Sequence, residues 1–510
     1  MNIGIDLGTT NSCAGYMTEF GNIEFIRFEN NSIILPSCLY YDRGKIVTGR
    51  KAIEMSENNP SNFISCSKTF MDDKTKIWAI EGKRFKPEDC SFEILKAIKK
   101  ELQNKFSDEK QFDAVITVPA KFGEDQIRKT AASAKRAGFN LKEIIKEPVA
   151  AVLAFNDSCF KPGDKVFVLD FGGGTIDAAM VELKGSTGVT DFNVVSADGN
   201  RHLGGKDLDE VICQMILEKF LECSGQNLLD SETSFGKSRK YIRRKIEKAS
   251  GELKISLFEN VRNNISSIST DIDQLCSICE NKENCPYSEN FSFELNFDEY
   301  IAKAEDVYSK MTDLILNDKF ISCHPDHVLF VGGMSRDPYL RQFIENTFSE
   351  SNVIYAPSGN EISSKEKYMA VIARGAAIKA CDDSIHIVNK ILNSLGIICK
   401  NKDGSEYMDT IIESGTDIDE NFVCRHTYTN TGRFETELKF DIYEYNGDPN
   451  NMDDLEYRKL GSFVFNDIDP MDSGKQRIEA AFSFNREGML CIEALDLNNN
   501  GKSIDVCIEI

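Results

Sequence analysis

Hydrophobic and polar positions alternate in two different ways along the chain, and the change divides it into two parts. In the first part, residues 1–382, short apolar runs alternate with stretches of helical periodicity. The apolar runs end at Gly, Pro or Asp, as buried strands do, so this part is predicted to form mixed sheets covered by helices. The strands are predicted at Asn2–Asp6, Ala114–Val118, Val166–Asp170 and His327–Val331, and the helices at Phe92–Phe106, Glu124–Ala137, Glu147–Phe155 and Lys206–Glu222.

The second part of the chain, residues 394–510, has no helical periodicity. Runs such as Glu437–Tyr443, Gly461–Phe465 and Gly488–Ala494 alternate or lie between Asn, Gly and Asp turns. This pattern predicts an all-β sandwich or barrel. The short mixed segment 383–393 is predicted to be a linker. We therefore expect one domain at 1–382 and a second at 394–510, with no helical segment after the sandwich.

Composition and charge limit the partners of this chain. Its 510 residues are 41% hydrophobic, which is enough to form packed cores, and its 82 acidic against 60 basic residues give a net charge of −22. Such a surface disfavours nucleic acid and anionic membranes, so a phosphate ligand would depend on backbone amides, a metal ion and a few placed cations. The N-terminus has no signal or transit character and no apolar run could cross a bilayer, so a cytoplasmic location is predicted.

Glycine-rich turns follow several of the predicted strands. Asp6–Asn11 reads DLGTTN and Asp170–Asp177 reads DFGGGTID, and the similarity of their surroundings suggests two related lobes. Glycines expose backbone amides, threonines add hydroxyl donors, and aspartates can hold hydrated Mg²⁺. Two more turns contain Gly204-Gly205 and Gly332-Gly333. Any one of these turns is also ordinary loop chemistry, but four of them together favour a nucleotide-binding cleft.

With these motifs assembled, the chain resembles the heat-shock protein 70 chaperones (DnaK type), within the actin and sugar-kinase ATPase superfamily. The similar segments are IGIDLGTTNSC at 3–13, ITVPA at 116–120, VLDFGGGTID at 168–177, HLGGKDLD at 202–209, FVGGMSRDP at 330–338, SLGI at 394–397 and FNDIDP at 465–470. The resemblance implies an α/β two-lobed, actin-like ATPase domain with a duplicated ribonuclease H-like fold, followed by an all-β sandwich that binds peptides.

The resemblance also implies roles for individual residues. ATP or ADP would be bound by Gly8, Thr9, Thr10, Asn11, Gly172, Gly173, Gly174, Thr175, Gly204, Gly205, Glu247, Gly332, Gly333 and Arg336. Slow ATP hydrolysis would depend on Lys68, Glu147, Asp170 and Thr175, with Mg²⁺ held through water by Asp6 and Asp170, and K⁺ by Asp177. Peptide would contact Ile397, Phe440 and Ile442, although strand residues with this alternation can equally form core.

The implied function is that of an ATP-dependent chaperone, which hydrolyses ATP to control the binding and release of extended apolar peptides. Its implied partners are unfolded polypeptides, a J-domain co-chaperone and a nucleotide exchange factor. The alternative is a nucleotide-binding adaptor or regulatory partner of chaperones with little hydrolysis. A small-molecule kinase of the same superfamily is disfavoured by the sandwich, and without a helical lid the chaperone is expected to exchange peptide fast.

The sequence departs from the family pattern at the adenine site. Of the family's clamp residues on one helix, Glu247 is retained, whereas Ser250, Gly251 and Lys254 occupy the other aligned positions. Met334 replaces a small hydroxyl residue. These departures predict reduced nucleotide affinity or relaxed base selectivity, and they favour the adaptor alternative.

A cysteine group stands in a polar insertion of the second lobe. Cys276 and Cys279 have the C-x₂-C spacing of half a zinc site, and Cys285 follows them. No fourth ligand is identifiable, so ordinary loop thiols remain the alternative. Elsewhere, Cys13 aligns with a cysteine near the nucleotide, where it is either an oxidation sensor or a small packing residue.

Overall fold

The computed structural model of this chain describes residues 1–155, 159–185, 191–224, 227, 239–273, 290–355, 366–391, 393–401, 404–418, 421–452, 454–485, 489–499 and 503–507. Cys276, Cys279 and Cys285 lie outside these residues, so their predicted metal or thiol role stays a prediction. All four predicted strands and all four predicted helices are confirmed, with shifts of zero to five residues at their ends.

The first sheet is built around the N-terminal strand. That strand pairs in parallel on one side and forms an antiparallel hairpin on the other. In spatial order the strands are Asn140–Lys146, Asp113–Val118, Asn2–Leu7, Asn11–Met17 and Ile23–Phe25, with Ile34–Pro36 also paired to the fourth. Three parallel strands followed by an antiparallel meander place the turn Gly8–Thr10 at the end of the central strand.

The second sheet repeats this arrangement and then extends it. Its first five strands follow the same order and directions as those of the first sheet, and the turn Gly172–Thr175 stands where Gly8–Thr10 stands in the other. The strands are Asn352–Ile354, His327–Val331, Lys165–Phe171, Ile176–Lys184, Asp191–Asn200, His386–Lys390 and Asp417–Ile418. The repeated topology supports two related lobes, while the ribonuclease H-like assignment stays a prediction.

One buried helix, Val371–Cys381, packs against both the first sheet and the helix that begins at Glu147. Two glycines permit this close approach. A Cβ on Gly4 would lie 2.0 Å from the Ala377 nitrogen, and one on Gly375 would lie 1.7 Å from the Ala150 oxygen. Because Gly4 precedes Asp6 on its strand, this packing fixes the positions of two predicted site residues, Asp6 and Glu147.

The remaining helices and small sheets surround these two sheets. The helices are Arg50–Asn58, Pro87–Lys105, Glu124–Arg136, Glu147–Leu153, Gly205–Ser224, Arg239–Val261, Phe297–Lys303, Glu305–Ile315, Asp318–Ile321, Pro338–Thr347 and Val371–Cys381, with 3₁₀ turns at Glu29–Asn31, Pro60–Asn62, Ser67–Phe70 and Gly333–Arg336. The small sheets contain Cys38–Asp42, Lys45–Thr48 and Phe63–Ser65, then Trp78–Ile80 and Lys83–Phe85, then Ser267–Asp273 and Asn290–Asn296. Within the described ranges, no helix is both long and apolar enough to cross a membrane.

The C-terminal part forms two four-stranded antiparallel sheets around one apolar core. One sheet contains Glu406–Ile412, Ser394–Lys400, Glu437–Asn446 and Glu456–Asn466, and the other Val423–Tyr428, Ile478–Phe484, Leu490–Asp496 and Ser503–Cys507. The strand His386–Lys390 lies inside the predicted linker and pairs with the second sheet on one side and with Asp417–Ile418 on the other. The strand His386–Lys390 therefore joins the two parts through backbone pairing.

Candidate functional site

A buried ion pair lies between the two glycine turns. Lys68 lies in the 3₁₀ turn Ser67–Phe70, and its ammonium donates a hydrogen bond to the Glu147 carboxylate at 2.8 Å and another to the Leu7 carbonyl. Glu147 is the first residue of a helix and is followed by proline, which favours that position. Only 4% of Lys68 and 6% of Glu147 is exposed, so both charges are removed from water.

Three half-buried aspartates, Asp6, Asp170 and Asp177, surround this pair. Burial first, and then the charge of Glu147, raise the pKa of Asp6 to about 7. The same two causes raise the pKa of Asp177 to about 7, and they hold the pKa of Asp170 well above its usual value. Four carboxylates face one lysine, and burying such an excess of negative charge is unfavourable unless cations neutralise it. These four carboxylates therefore suit the binding of cations.

The two glycine turns meet directly beside these carboxylates, and we call the space between them the phosphate cleft. A Cβ on Gly173 would lie 3.0 Å from the Thr10 hydroxyl, so the turn of one sheet lies against the turn of the other. The Thr10 hydroxyl is buried and has no hydrogen-bond partner among the described residues. A buried hydroxyl without a partner is unfavourable, and a phosphate oxygen would satisfy it.

The other two predicted turns adjoin the same cleft. A Cβ on Gly204 would lie 2.8 Å from the Gly174 nitrogen, so the turn before helix Gly205–Ser224 covers the triple-glycine turn. Gly332 has a φ of 81°, and a Cβ there would lie 2.5 Å from the Asp170 carboxylate. All four glycine turns predicted from the sequence therefore lie around Asp170 and its neighbours.

The predicted adenine side is held by ion pairs of its own. Lys254 is buried, and its ammonium lies 2.6 Å from the Asp209 carboxylate and donates to the Gly205 carbonyl. Arg336, also buried, pairs with Glu259. Sequence reasoning missed both acidic partners. The signal was available for Asp209, because it stands one helical turn after Gly205 on the same helix.

Two further aligned positions, Glu247 and Ser250, lie on the helix Arg239–Val261 in different surroundings. Glu247 pairs with Arg243 and Arg244 on its own helix. Ser250 is fully buried and donates to the Ile246 carbonyl. Met334 has its sulfur 3.0 Å from the place of a Cβ on Gly205. The nucleoside-binding roles of Glu247 and Arg336 stay predictions.

The residues of the cleft fit a magnesium-bound polyphosphate on three observations. The Thr10 hydroxyl lacks a partner among the described residues, the glycines of the turns carry no side chains that would cover their own amides, and the aspartates have raised pKa values that a cation would lower. Among the described side chains, no three His, Cys, Asp or Glu residues are arranged to ligate one metal ion directly. Magnesium held through water by Asp6 and Asp170 stays a prediction, as does potassium at Asp177.

A cavity of about 330 Å³ opens next to the Lys68–Glu147 pair. Its wall contains four predicted site residues, Thr9, Lys68, Thr175 and Asp177. The rest of the lining, which sequence reasoning missed, is Thr69, Pro119, Lys121, Phe122, Gly199, Asn200, Arg201 and His202. The available signal was the position of the cations Lys121 and Arg201 in the sequence, because both follow the ends of strands that lead into the cleft.

The three predicted peptide contacts lie in the sandwich, away from the cleft. Ile397, Phe440 and Ile442 are all buried in its apolar core. The Phe440 ring stacks on the Phe463 ring with centroids 4.5 Å apart and an interplanar angle of 6°. This arrangement corresponds to the core alternative of the sequence analysis, and peptide contact by these side chains stays a prediction.

Comparisons with known proteins agree along the whole chain. The family model described as Hsp70 protein matches residues 2–77 and 71–509. Chaperone protein DnaK from Nitrosopumilus maritimus is 30% identical over 521 residues, which cover 99% of this chain and 75% of that protein. Chaperone protein DnaK from Psychrobacter cryohalolentis is 27% identical over 538 residues, with coverages of 99% and 77%. This chain therefore belongs to the Hsp70 family.

Proposed function

We propose that this protein is an ATP-dependent molecular chaperone, which hydrolyses ATP to control how the sandwich binds and releases extended apolar peptides. The observation that carries the proposal is the convergence of glycine turns from two sheets on a buried lysine, Lys68, among four carboxylates. Family membership and the names of the two relatives support the chaperone role. Slow hydrolysis is expected.

In this proposal the chain contributes positioning and electrostatics, and no covalent intermediate forms on it. The backbone amides of the glycine turns and the Thr10 hydroxyl bind phosphate oxygens of ATP. The Lys68 ammonium stabilises negative charge on the transferring phosphoryl group. Glu147 holds that ammonium in place and orients the attacking water, with the Thr175 hydroxyl beside it.

Cations complete the charge balance of the site. When bound, Mg²⁺ neutralises phosphate charge and polarises phosphate oxygens. Asp6 and Asp170 would hold its water shell, and Asp177 would bind K⁺. These carboxylates are positioned by Gly4 and Gly332, whose lack of side chains allows the close packing described above.

Single-turnover hydrolysis of labelled ATP by the full chain tests the ATPase. We expect phosphate release by the natural protein and a loss of at least about 100-fold for Lys68→Ala or Thr175→Ala, as is common for residues that stabilise a transition state. Lys45→Ala is the matched control, because Lys45 is exposed on a strand of a separate small sheet. Nucleotide binding without phosphate release would contradict the ATPase.

Peptide affinity measured with ATP and with ADP tests the chaperone cycle. We expect an extended apolar peptide to dissociate faster in the presence of ATP. Equal affinity with the two nucleotides would contradict ATP-controlled release while leaving the hydrolysis result intact.

The adaptor function is the second candidate, and one observation favours it. On the predicted adenine side, Lys254 and Arg336 are already paired with Asp209 and Glu259, and Met334 lies close to Gly205. A nucleotide would have to replace some of these contacts, which would weaken binding. An adaptor would bind nucleotide and a partner protein with no measurable single-turnover hydrolysis.

A further inference from the structure

We propose that the cavity beside the Lys68–Glu147 pair is a second anion site, which holds inorganic phosphate on Lys121 and Arg201. The identification of that phosphate as the product of ATP hydrolysis rests on the proposed function. The cavity is continuous with the catalytic residues, because Thr9, Lys68 and Thr175 form one side of it. Phosphate that leaves the cleft on this side therefore enters the cavity without crossing a glycine turn.

The two cations approach the cavity from opposite sheets. Lys121 follows a strand of the first sheet, and its ammonium lies 3.0 Å from the Asp198 carboxylate on the second. Arg201 follows a strand of the second sheet and pairs with Asp72, which follows the 3₁₀ turn of Lys68. Two positive groups on opposite sides can bind one divalent anion together, which a single surface lysine cannot do.

Both ion pairs are exchangeable. The side chains of Lys121 and Arg201 are 43% and 35% exposed, and ion pairs at such exposure contribute little to stability. Asp198 also accepts from Lys319 at 2.5 Å, so it stays paired if Lys121 turns away. Phosphate carries more charge than either carboxylate and can therefore replace Asp198 or Asp72 at modest cost.

The side chains between the phosphate cleft and Arg201 also suit a bound anion. The Phe122 ring has the Lys68 ammonium 5.3 Å and the Arg201 guanidinium 6.0 Å from its centroid, so it supports both cations. Gln126 accepts from Arg201 at 3.4 Å, while its buried amide nitrogen has no hydrogen-bond partner among the described residues. An uncommitted donor next to Arg201 is a second indication of an anion.

Equilibrium dialysis of labelled inorganic phosphate against the full chain loaded with Mg-ADP tests this site. We expect saturable binding, weakened at least tenfold in the double variant Lys121→Gln and Arg201→Gln. Lys248→Gln is the matched control, because Lys248 pairs with Glu57 at 3.0 Å and is outside the cavity lining. Its phosphate affinity should equal that of the natural protein.

A variant pair with the opposite expected sign covers the case in which the double variant does not fold. Asp72→Asn with Asp198→Asn keeps both cations and removes their competing carboxylates, so phosphate should bind more tightly, by about tenfold. Absence of saturable binding, unchanged affinity in the cation variants or weaker affinity in the Asp variants would overturn the site. Loss of ATP hydrolysis in the natural protein would instead contradict only the proposed function.

Discussion

In the phosphate cleft the buried side chains are charged, whereas in the sandwich the side chains expected to contact peptide are apolar and packed on each other. Lys68 and Glu147 are as inaccessible as Phe440, yet the physical consequences of their burial differ. Removing water from a charge costs free energy unless a partner compensates, while removing water from an aromatic ring stabilises the fold. Burial in the cleft therefore depends on the charges being paired, whereas burial in the sandwich stabilises the fold by itself.

The largest effect should be a loss of ATP hydrolysis in the cleft without a matching loss of stability. Thr175→Ala removes a hydroxyl of the triple-glycine turn and should lower single-turnover hydrolysis by at least about 100-fold. The midpoint of thermal unfolding should change little, because the turn has few apolar contacts to lose. Rapid-quench measurements and thermal melts of the same preparation check both parts. A large loss of stability with normal hydrolysis would remove the distinction between the two regions.

The sandwich should respond in the opposite way. Phe440→Ala leaves a cavity beside Phe463 and Tyr428, and truncating a buried phenylalanine typically costs about 3–5 kcal/mol of unfolding free energy. Urea unfolding of the full chain, monitored by a spectroscopic signal of the sandwich, measures this loss of unfolding free energy. Val464→Ala is the matched control on the adjacent strand, because Val464 is exposed between two buried phenylalanines. If Phe440→Ala abolished peptide binding without loss of stability, Phe440 would be a groove residue.

The same contrast explains what could be predicted from the sequence. Four glycine turns after buried strands predict a common cleft, and in the structure Gly173 lies near Thr10, Gly204 near Gly174 and Gly332 near Asp170. The alternation around Phe440 has two equally ordinary explanations, core and groove, which the pattern alone does not separate. The four strands and four helices named from the sequence were predicted correctly because buried strands and amphipathic helices differ in period.

Contacts between sequence-distant polar residues were not predictable in this way. Asp198 and Lys121 are surface-type residues whose pairing depends on how the two sheets face each other. No periodicity specifies that arrangement. The cation-lined cavity was missed for this reason, although Thr9 and Thr175 on its wall were identified.

An effect of intermediate size should appear in the pH dependence of folding stability, and it should come from the carboxylates of the cleft and not from the sandwich. Asp6 and Asp177 have pKa values near 7 in the folded chain, above their ordinary value of 3.8. The folded state therefore holds more protons than the unfolded state between about pH 4 and 7. The protonated carboxylates therefore contribute to folding stability at low pH, and this contribution is lost as the pH rises through that window.

Bound Mg-ADP should reverse this trend, because it favours the ionised carboxylates. We expect the rise in unfolding temperature on adding Mg-ADP to be larger at pH 8 than at pH 6 by a few degrees. Asp6→Asn should reduce the difference, and calorimetry at both pH values measures it. An equal rise at the two pH values would show that these carboxylates do not respond to the ligand.

The smallest effect should follow the loss of an exposed ion pair in the sandwich, which contrasts with the buried pair of Lys68 and Glu147. Lys459 lies 2.7 Å from the Asp441 carboxylate, but its side chain is largely exposed, and Lys439 lies 3.3 Å from the same carboxylate. Lys459→Gln should therefore change the free energy of unfolding by less than about 0.5 kcal/mol, because solvent screens the pair and a second lysine remains. Urea unfolding measures the change. A loss above about 1 kcal/mol would mean that exposed charges stabilise the sandwich, and burial would no longer distinguish the two regions.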